Sequence, residues 1–282
     1  MTPVGQDAVR PGVAERLEAT YAELTPRERV VADVMLERLP DLALYSASEL
    51  ARFSGVSKAT VSRLYRRLGY AGAEEVRDQA RALRASGTPV APDRAPATSE
   101  RIARELTNVA RCLERAGPVL PPLASALAAA DRVLVLGFRS GRPLAEMLRQ
   151  QLVQARPAVH LLPTAGHSLG EDLADLGGQD VVVLVGPRRR PAVFARLVSV
   201  LADSPARVAL MGDASSRRYV AQVDHWLECP LDTGGAFDSH APAAALIAVL
   251  ADAVLTATGA AGARRVTAVD RTYRQLGELE EG

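Results

Sequence analysis

The sequence has almost no lysine, few cysteines and few aromatic residues. Lys58 is the only lysine among 34 basic residues, so the other 33 are arginines. Because arginine is preferred along the whole chain, a single run of arginines is weak evidence for a binding site. The two cysteines, Cys112 and Cys229, have no metal-ligand spacing and form no disulfide framework, which is typical of a reducing compartment.

Neither global charge nor hydrophobicity points to nucleic acid or to a membrane. The formal net charge is +1, so only a local basic patch can support DNA binding. The N-terminal residues are charged throughout and contain no apolar core of a signal peptide. The longest apolar stretch, 241–263, is alanine-rich and interrupted by Asp252, which predicts a buried helix. We expect a cytoplasmic protein with no membrane partner.

The chain divides into a helical part and an α/β part. Residues 1–85 show only helical periodicity, and 86–98 form a linker rich in Pro, Ser, Thr and Gly. Residues 99–282 begin with two helical stretches, 99–116 and 121–130, and then alternate β-rich runs with helices. This alternation predicts a doubly wound, five-stranded parallel sheet with helices on both faces. The β-rich runs are RVLVLGF, AVHLL, DVVVLVG, RVALMG and DHWLECP.

The first part contains a helix-turn-helix pattern. Thr25-Pro26 followed by Glu28 predicts the start of one helix, and a second helix begins near Ser46–Ser48. Gly55 then allows a tight turn, and Ser57 caps a third, amphipathic helix that stops at Gly69. That helix directs Val61, Leu64 and Leu68 inward. Its outer face is expected to present Lys58, Thr60, Arg63, Arg66 and Arg67.

The acid-free segment between Glu49 and Glu74 carries a local charge of +5 from Arg52, Lys58, Arg63, Arg66 and Arg67. Cations and small hydroxyls at the start of such a helix suit reading of the DNA major groove. The alternative is a basic surface helix in a three-helix bundle. The predicted DNA-binding residues are Ser46, Ser48, Ser57, Lys58, Thr60, Val61, Arg63, Arg66 and Arg67.

The core "SxxELA…GVSxATVSRLxxxLGY", with the flanking helices, resembles RpiR/MurR-type transcriptional regulators. The resemblance implies a five-helix, wingless DNA-binding domain followed by a sugar isomerase (SIS) domain that binds an effector and oligomerises. The segment "GFRSGRPLA" resembles the first phosphate loop of SIS domains, and Ser239 resembles the residue that opens the final helix and helps to close the pocket. The implied effector-binding residues are Gly137, Arg139, Ser140, Gly141, Gly186, Arg188, Arg189, Arg190, Ser239 and His240.

The loop after the third strand departs from that family. SIS domains usually have Ser-x-Ser-Gly-x-Thr there, whereas this sequence reads "GPRRRPA" without those hydroxyls. Arg188, Arg189 and Arg190 can instead bind an anion by charge and bidentate hydrogen bonds, or lie in solvent. The hydroxyl-rich cradle for a sugar phosphate is therefore not expected in this loop.

These features predict a transcriptional regulator that binds operator DNA as a homodimer or homotetramer and senses a small anionic effector, a phosphosugar or sugar acid. One alternative is a phosphosugar isomerase, for which His167, His225 and His240 with Glu171, Asp172 and Asp238 are the acid/base candidates. Another is a DNA-binding protein whose SIS domain only dimerises. We predict no enzymatic activity, no metal and no cofactor.

Overall fold

The structure is a computed structural model that describes residues 12–37, 42, 45–86 and 96–278. These residues divide into two compact units: the first contains the described residues up to Ala97 together with 234–237, and the second contains the others. Most of the predicted linker, residues 87–95, lies outside the described residues.

The first unit consists of helices. Its core contains the fully buried side chains of Leu17, Met35, Leu50, Leu64 and Tyr65. Burial raises the pKa of Tyr65 to about 12. The helices are α1 (Val13–Thr20), α2 (Pro26–Glu37), α3 (Ala47–Phe53), α4 (Lys58–Arg67) and α5 (Ala73–Ser86).

The predicted helix starts are confirmed by reciprocal caps. Glu28 Oε2 accepts hydrogen bonds from the backbone N of Thr25 at 3.0 Å and from its Oγ1 at 2.7 Å. Glu49 Oε2 accepts the equivalent pair from Ser46, both at 2.8 Å. Each pair satisfies backbone donors that a helix start would otherwise leave unbonded, so the sequence sets where α2 and α3 begin.

The second unit is an α/β sandwich. All strand pairs are parallel, and the sheet order β2-β1-β3-β4-β5 is that of doubly wound, flavodoxin-like folds. The predicted five-stranded parallel sheet is confirmed. Its strands are β1 (Val133–Gly137), β2 (Val159–Leu162), β3 (Val181–Val185), β4 (Arg207–Gly212) and β5 (His225–Glu228).

Alternate side chains of the strands enter two different cores. Val133 and Val135 face one core with helices α6, α7, α8 and α11, whereas Leu134 and Leu136 face the other with α10. Because both faces of the sheet are covered, the central strands read as continuous apolar runs. The helices are α6 (Thr98–Ala116), α7 (Leu120–Ala129), α8 (Gly141–Ala155), α9 (Leu169–Leu173), α10 (Phe194–Ala202) and α11 (Ala241–Leu276).

Helix α11 is the predicted buried apolar helix. By length and composition alone it is the one described helix that would be long enough to cross a membrane. Its buried residues, however, pack with α6, α7 and α8 in one core of the sheet. Gly259, at φ +55°, interrupts the helical geometry, and beyond it Arg265 Nε donates to the Val153 carbonyl at 2.6 Å. These contacts support a core helix.

Candidate functional site

The turn between α3 and α4 has the geometry expected from the sequence. Gly55 adopts φ +63°, a conformation that glycine reaches without steric cost. The Val56 backbone N donates to the Ala51 carbonyl at 3.0 Å and closes the turn. Ser57 Oγ accepts from the Thr60 backbone N at 3.2 Å and caps α4. The predicted helix-turn-helix is therefore present.

One face of α4 is exposed and basic. Lys58, Arg63 and Arg66 are exposed, and Arg67 keeps 41% of its side chain accessible. Ala59 is also exposed and Ser62 is half-buried on this side, although the sequence reasoning did not include them. Small side chains between cations let a helix approach a groove closely. Because Val61, Leu64 and Leu68 lie on the inner face, helical periodicity places these residues on the outer face.

The structure confirms that Val61 faces inward and corrects its predicted contact with DNA, and it corrects the predicted exposure of Thr60. Val61 is fully buried in the helical core, and Thr60 is 2% exposed. Thr60 lies one turn before Leu64, so helical periodicity places it on the inner face. Thr60 Oγ1 lies 3.0 Å from Ser57 Oγ and accepts from Arg63 Nη2 at 3.2 Å. Thr60 therefore supports the cap of α4 and accepts a hydrogen bond from Arg63 on the buried side of the helix.

The serines predicted to bind DNA lie in different surroundings. Ser48 is exposed on α3, and Ser57 is exposed at the start of α4. Ser46 is half-buried, and its Oγ donates to Glu49 Oε2 at 2.8 Å, so its hydroxyl serves the cap of α3. Ser48 and Ser57 remain the candidates for contact with DNA because both are exposed, and Ser57 Oγ also caps α4.

A buried carboxylate at the start of α2 holds the last arginine of α4. Glu28 is 4% exposed, its Oε1 lies 3.7 Å from Arg67 Nε, and Arg67 Nη1 donates to the Glu23 carbonyl at 2.8 Å. Burial acts to raise the pKa of Glu28, but hydrogen bonds from Thr25 and the charge of Arg67 outweigh it, so the pKa is lowered. The inner part of Arg67 is thus fixed to the helical core.

We expect Glu28→Gln to destabilise the helical unit by about 1 kcal/mol at neutral pH, because glutamine can still cap α2 but loses the charge beside Arg67. The folded-state pKa of Glu28 is lowered, so its contribution is present above the unfolded pKa and is lost as pH falls through the folded value. The variant should therefore lose less stability than the wild type between about pH 5 and about pH 3. Denaturant unfolding at several pH values measures this difference.

Glu49→Gln is the matched control for that experiment. Glu49 accepts the same two bonds from Ser46 and forms no ion pair within the described residues. A loss as large in Glu49→Gln as in Glu28→Gln would show that the cap alone, without Arg67, accounts for the effect.

The second candidate site lies at the carboxyl edge of the sheet, between β1 and β3. Strand order reverses there, and ligands of open α/β sheets bind in the crevice at such a point. The loops after the two strands meet closely, since a Cβ on Gly141 would collide with the Val185 carbonyl. A Cβ on Gly186 would collide with the Phe194 ring, and one on Gly137 with the Gly141 carbonyl. The structure gives these three glycines a packing role.

The loop after β1 carries the predicted anion-binding residues. Arg139 is exposed and adopts φ +49°, a strained conformation for a side chain of its size. Ser140 precedes the first residue of α8, and its side chain forms no capping hydrogen bond. A helix start with a cation beside it can attract a negative group.

The arginines after β3 do not form the open cluster that the sequence predicts, because two of them are paired with acids. Arg190 Nη2 pairs with Asp213 Oδ1 at 2.6 Å, Arg190 Nε donates to the Gly186 carbonyl at 2.7 Å, and the two side chains are 8% and 7% exposed. Arg190 therefore fixes the loop instead of reaching a ligand. Arg188 Nη2 pairs with Asp238 Oδ1 at 2.7 Å, with both side chains partly exposed. The predicted cluster is neutralised in large part by two acids.

Three polar groups near this loop lack hydrogen-bond partners. Among the described residues, Arg189 Nε, His240 Nδ1 and Thr233 Oγ1 are buried without a partner. Burial lowers the pKa of His240, so its imidazole is neutral at neutral pH. Asp238, in the loop that carries Thr233 and His240, pairs with Arg188 of the arginine loop. In the same loop, Ser239 Oγ accepts a hydrogen bond from the Ala241 backbone N at 3.3 Å. Unsatisfied buried polar groups in a crevice suit a polar ligand.

The three candidate histidines lie on or after different strands of the sheet. His167 Nδ1 lies 3.7 Å from Asp172 Oδ1, and both line a cavity of about 590 Å³ beside β2. His240 instead precedes α11, which follows β5 at the opposite edge of the sheet, and His225 lies on β5. No group of metal-ligating side chains occurs within the described residues.

Comparison with known proteins supports this two-part description. Residues 11–82 match the family described as helix-turn-helix domain, rpiR family. No curated protein matches the chain.

Two solved structures resemble the chain at low identity. An RpiR transcription factor from Sphaerobacter thermophilus (sugar isomerase domain) is 20% identical, with a TM-score of 0.55, over 61% of this chain and 97% of that chain. The Vibrio vulnificus NanR protein complexed with ManNAc-6P is 17% identical, with a TM-score of 0.55, over 93% of this chain and 98% of that chain. The predicted combination of a helical domain and a sugar isomerase fold is confirmed.

Proposed function

We propose that the chain is a DNA-binding transcriptional regulator, since residues 11–82 match the family described as helix-turn-helix domain, rpiR family. The exposed basic face of α4, which begins after the Gly55 turn, carries this proposal. A two-fold homodimer, or a homotetramer built from such dimers, would place two copies of α4 on half-sites about 34–36 Å apart. Residues 1–85 bind operator DNA in the cytoplasm, and residues 99–282 oligomerise and bind the effector.

The effector is a small anionic metabolite that binds where the loops after β1 and β3 meet. Arg139, the unpartnered Arg189 Nε and the start of α8 support an anion there. The NanR structure, which resembles this chain, is complexed with ManNAc-6P, which supports a phosphosugar. A sugar acid is supported instead by the arginines of the loop after β3. Binding changes DNA affinity if the effector prefers one arrangement of the protein over another.

The site is proposed to bind and not to convert its ligand. Turnover of a sugar phosphate needs an acid and a base at one carbonyl. His167 lies in the loop after β2 beside Asp172, whereas the loop of His240 meets the arginine loop after β3 through Asp238, and this separation supports a sensor without isomerase activity.

Selection of DNA fragments from a random-sequence pool by the full chain tests the regulator function. We expect enriched sites with two related halves, and an affinity that falls linearly in log–log form as salt increases. A panel of phosphosugars and sugar acids is then added to the selected complex. Equal affinity for selected and scrambled DNA would refute the proposal, and a DNA complex unaffected by every metabolite would favour a SIS domain that only oligomerises.

A further inference from the structure

The arginine loop contains an internal carboxylate that resembles a bound ligand, and this observation rests on the effector site proposed above. We infer that Asp238 occupies on Arg188 the position of an effector's carboxylate, and that a metabolite bearing a single carboxylate binds by displacing it. The effector is therefore of the sugar-acid class, and binding is an exchange of one carboxylate for another.

The contacts of Arg188 have the geometry of carboxylate recognition. Arg188 Nη2 donates to Asp238 Oδ1 at 2.7 Å, and Arg188 Nε lies 3.2 Å and 3.1 Å from Oδ1 and Oδ2. Two nitrogens of a planar guanidinium thus engage both oxygens of a planar carboxylate. Although burial acts to lower the pKa of Arg188, the hydrogen bonds and charge of Asp238 raise it. Any carboxylate of similar reach would satisfy the same donors.

The two ion pairs of this loop differ in how readily they can open. The side chains of Arg188 and Asp238 are 18% and 20% exposed, whereas those of Arg190 and Asp213 are 8% and 7% exposed. Solvent therefore reaches the first pair more easily than the second. Phe237, next to Asp238, exposes 73% of its surface, so its side chain adds little packing that would hold Asp238 in place.

The charge that remains after the exchange favours a carboxylate over a phosphate. Asp213 stays in place, because Arg190, the Ser215 hydroxyl and the Arg188 backbone N all donate to it. A carboxylate in place of Asp238 restores a single negative charge on Arg188. A phosphate monoester carries about −1.5 to −2 and would add negative charge beside Asp213, in a loop without the hydroxyls that hold phosphate in SIS domains.

Binding of acetate and of inorganic phosphate to the full chain tests the exchange. The melting temperature is followed against the concentration of each anion at neutral pH and matched ionic strength, which yields a half-saturating concentration. We expect Asp238→Asn to lower the half-saturating acetate concentration by about tenfold, because the internal competitor is neutralised. Arg188→Met should abolish the acetate effect, and acetate should bind more tightly than phosphate.

Asp270→Asn is the matched control, because it removes the same charge by the same substitution from an exposed pair with Arg274 on α11. It should leave acetate binding unchanged. Acetate binding that is unchanged, weaker or absent in Asp238→Asn would overturn the exchange, and a larger gain for phosphate than for acetate would overturn the ligand class. DNA selection by the same proteins is scored separately, so loss of the regulator function is distinguishable from loss of the exchange.

Discussion

Replacing Asp213 by alanine is expected to lower the free energy of unfolding of the α/β unit by about 3–5 kcal/mol. The substitution leaves the guanidinium of Arg190 without its ion-pair partner in a position only 8% exposed. It also removes the acceptor of the Ser215 backbone N at 3.0 Å and of the Arg188 backbone N at 2.9 Å. Denaturant unfolding followed by circular dichroism measures the loss.

Two further variants separate the buried charge from other effects of that substitution. Arg190→Met combined with Asp213→Ala should cost less than the sum of the two single changes, since no unpaired charge then remains buried. Asp270→Ala breaks the exposed pair with Arg274 on α11 and should change stability little. Equal losses in Asp213→Ala and Asp270→Ala would contradict a structural role for the buried pair.

Replacing Arg63 by alanine is expected to weaken operator binding by about 1–3 kcal/mol, or roughly 5- to 150-fold. Arg63 is exposed on α4, and Thr60 beneath it holds one of its nitrogens at 3.2 Å. If Arg63 contacts a phosphate, the slope of log affinity against log salt should also fall by about one. Fluorescence anisotropy with a labelled operator at several salt concentrations measures both quantities.

Arg274→Ala removes one positive charge from the other compact unit and serves as the control for net charge. It should leave operator affinity nearly unchanged. If Arg63→Ala and Arg274→Ala bind the operator equally well, α4 is not the recognition helix.

Local sequence patterns predicted most of the fold. The helices that start at Thr25 and Ser46 depend on caps formed within three residues, so a short sequence pattern is enough to predict both starts. The buried strands are short apolar runs, and their alternation with helices allows few topologies. For the same reason the turn at Gly55 was predictable, since its backbone conformation favours glycine.

Thr60 was predicted to be exposed because of its residue type, although its position in the helical repeat places it on the inner face. A small hydroxyl beside arginines suggests DNA contact, yet its spacing from Leu64 places it inside. Ala59 and Ser62 were missed because neither carries a charge, although helical periodicity places both on the outer side.

The partners of the arginine loop could be predicted only in part. Asp213 directly follows β4, and the carboxyl ends of neighbouring parallel strands lie together, so topology brings it near the loop after β3. Asp238 is 50 residues from Arg188 in the chain, and no local spacing indicates that pair. Free and paired arginines look the same in sequence, whereas their difference decides whether a ligand can bind.

The scarcity of lysine has a practical consequence for experiments on DNA binding. Lys58 is the only side-chain amine in the sequence, and it lies exposed at the first position of α4. A reagent that acylates lysine therefore modifies α4 and no other side chain. Bound operator would shield this amine, so the extent of acylation, read by mass spectrometry, reports occupancy of the DNA site without an engineered label.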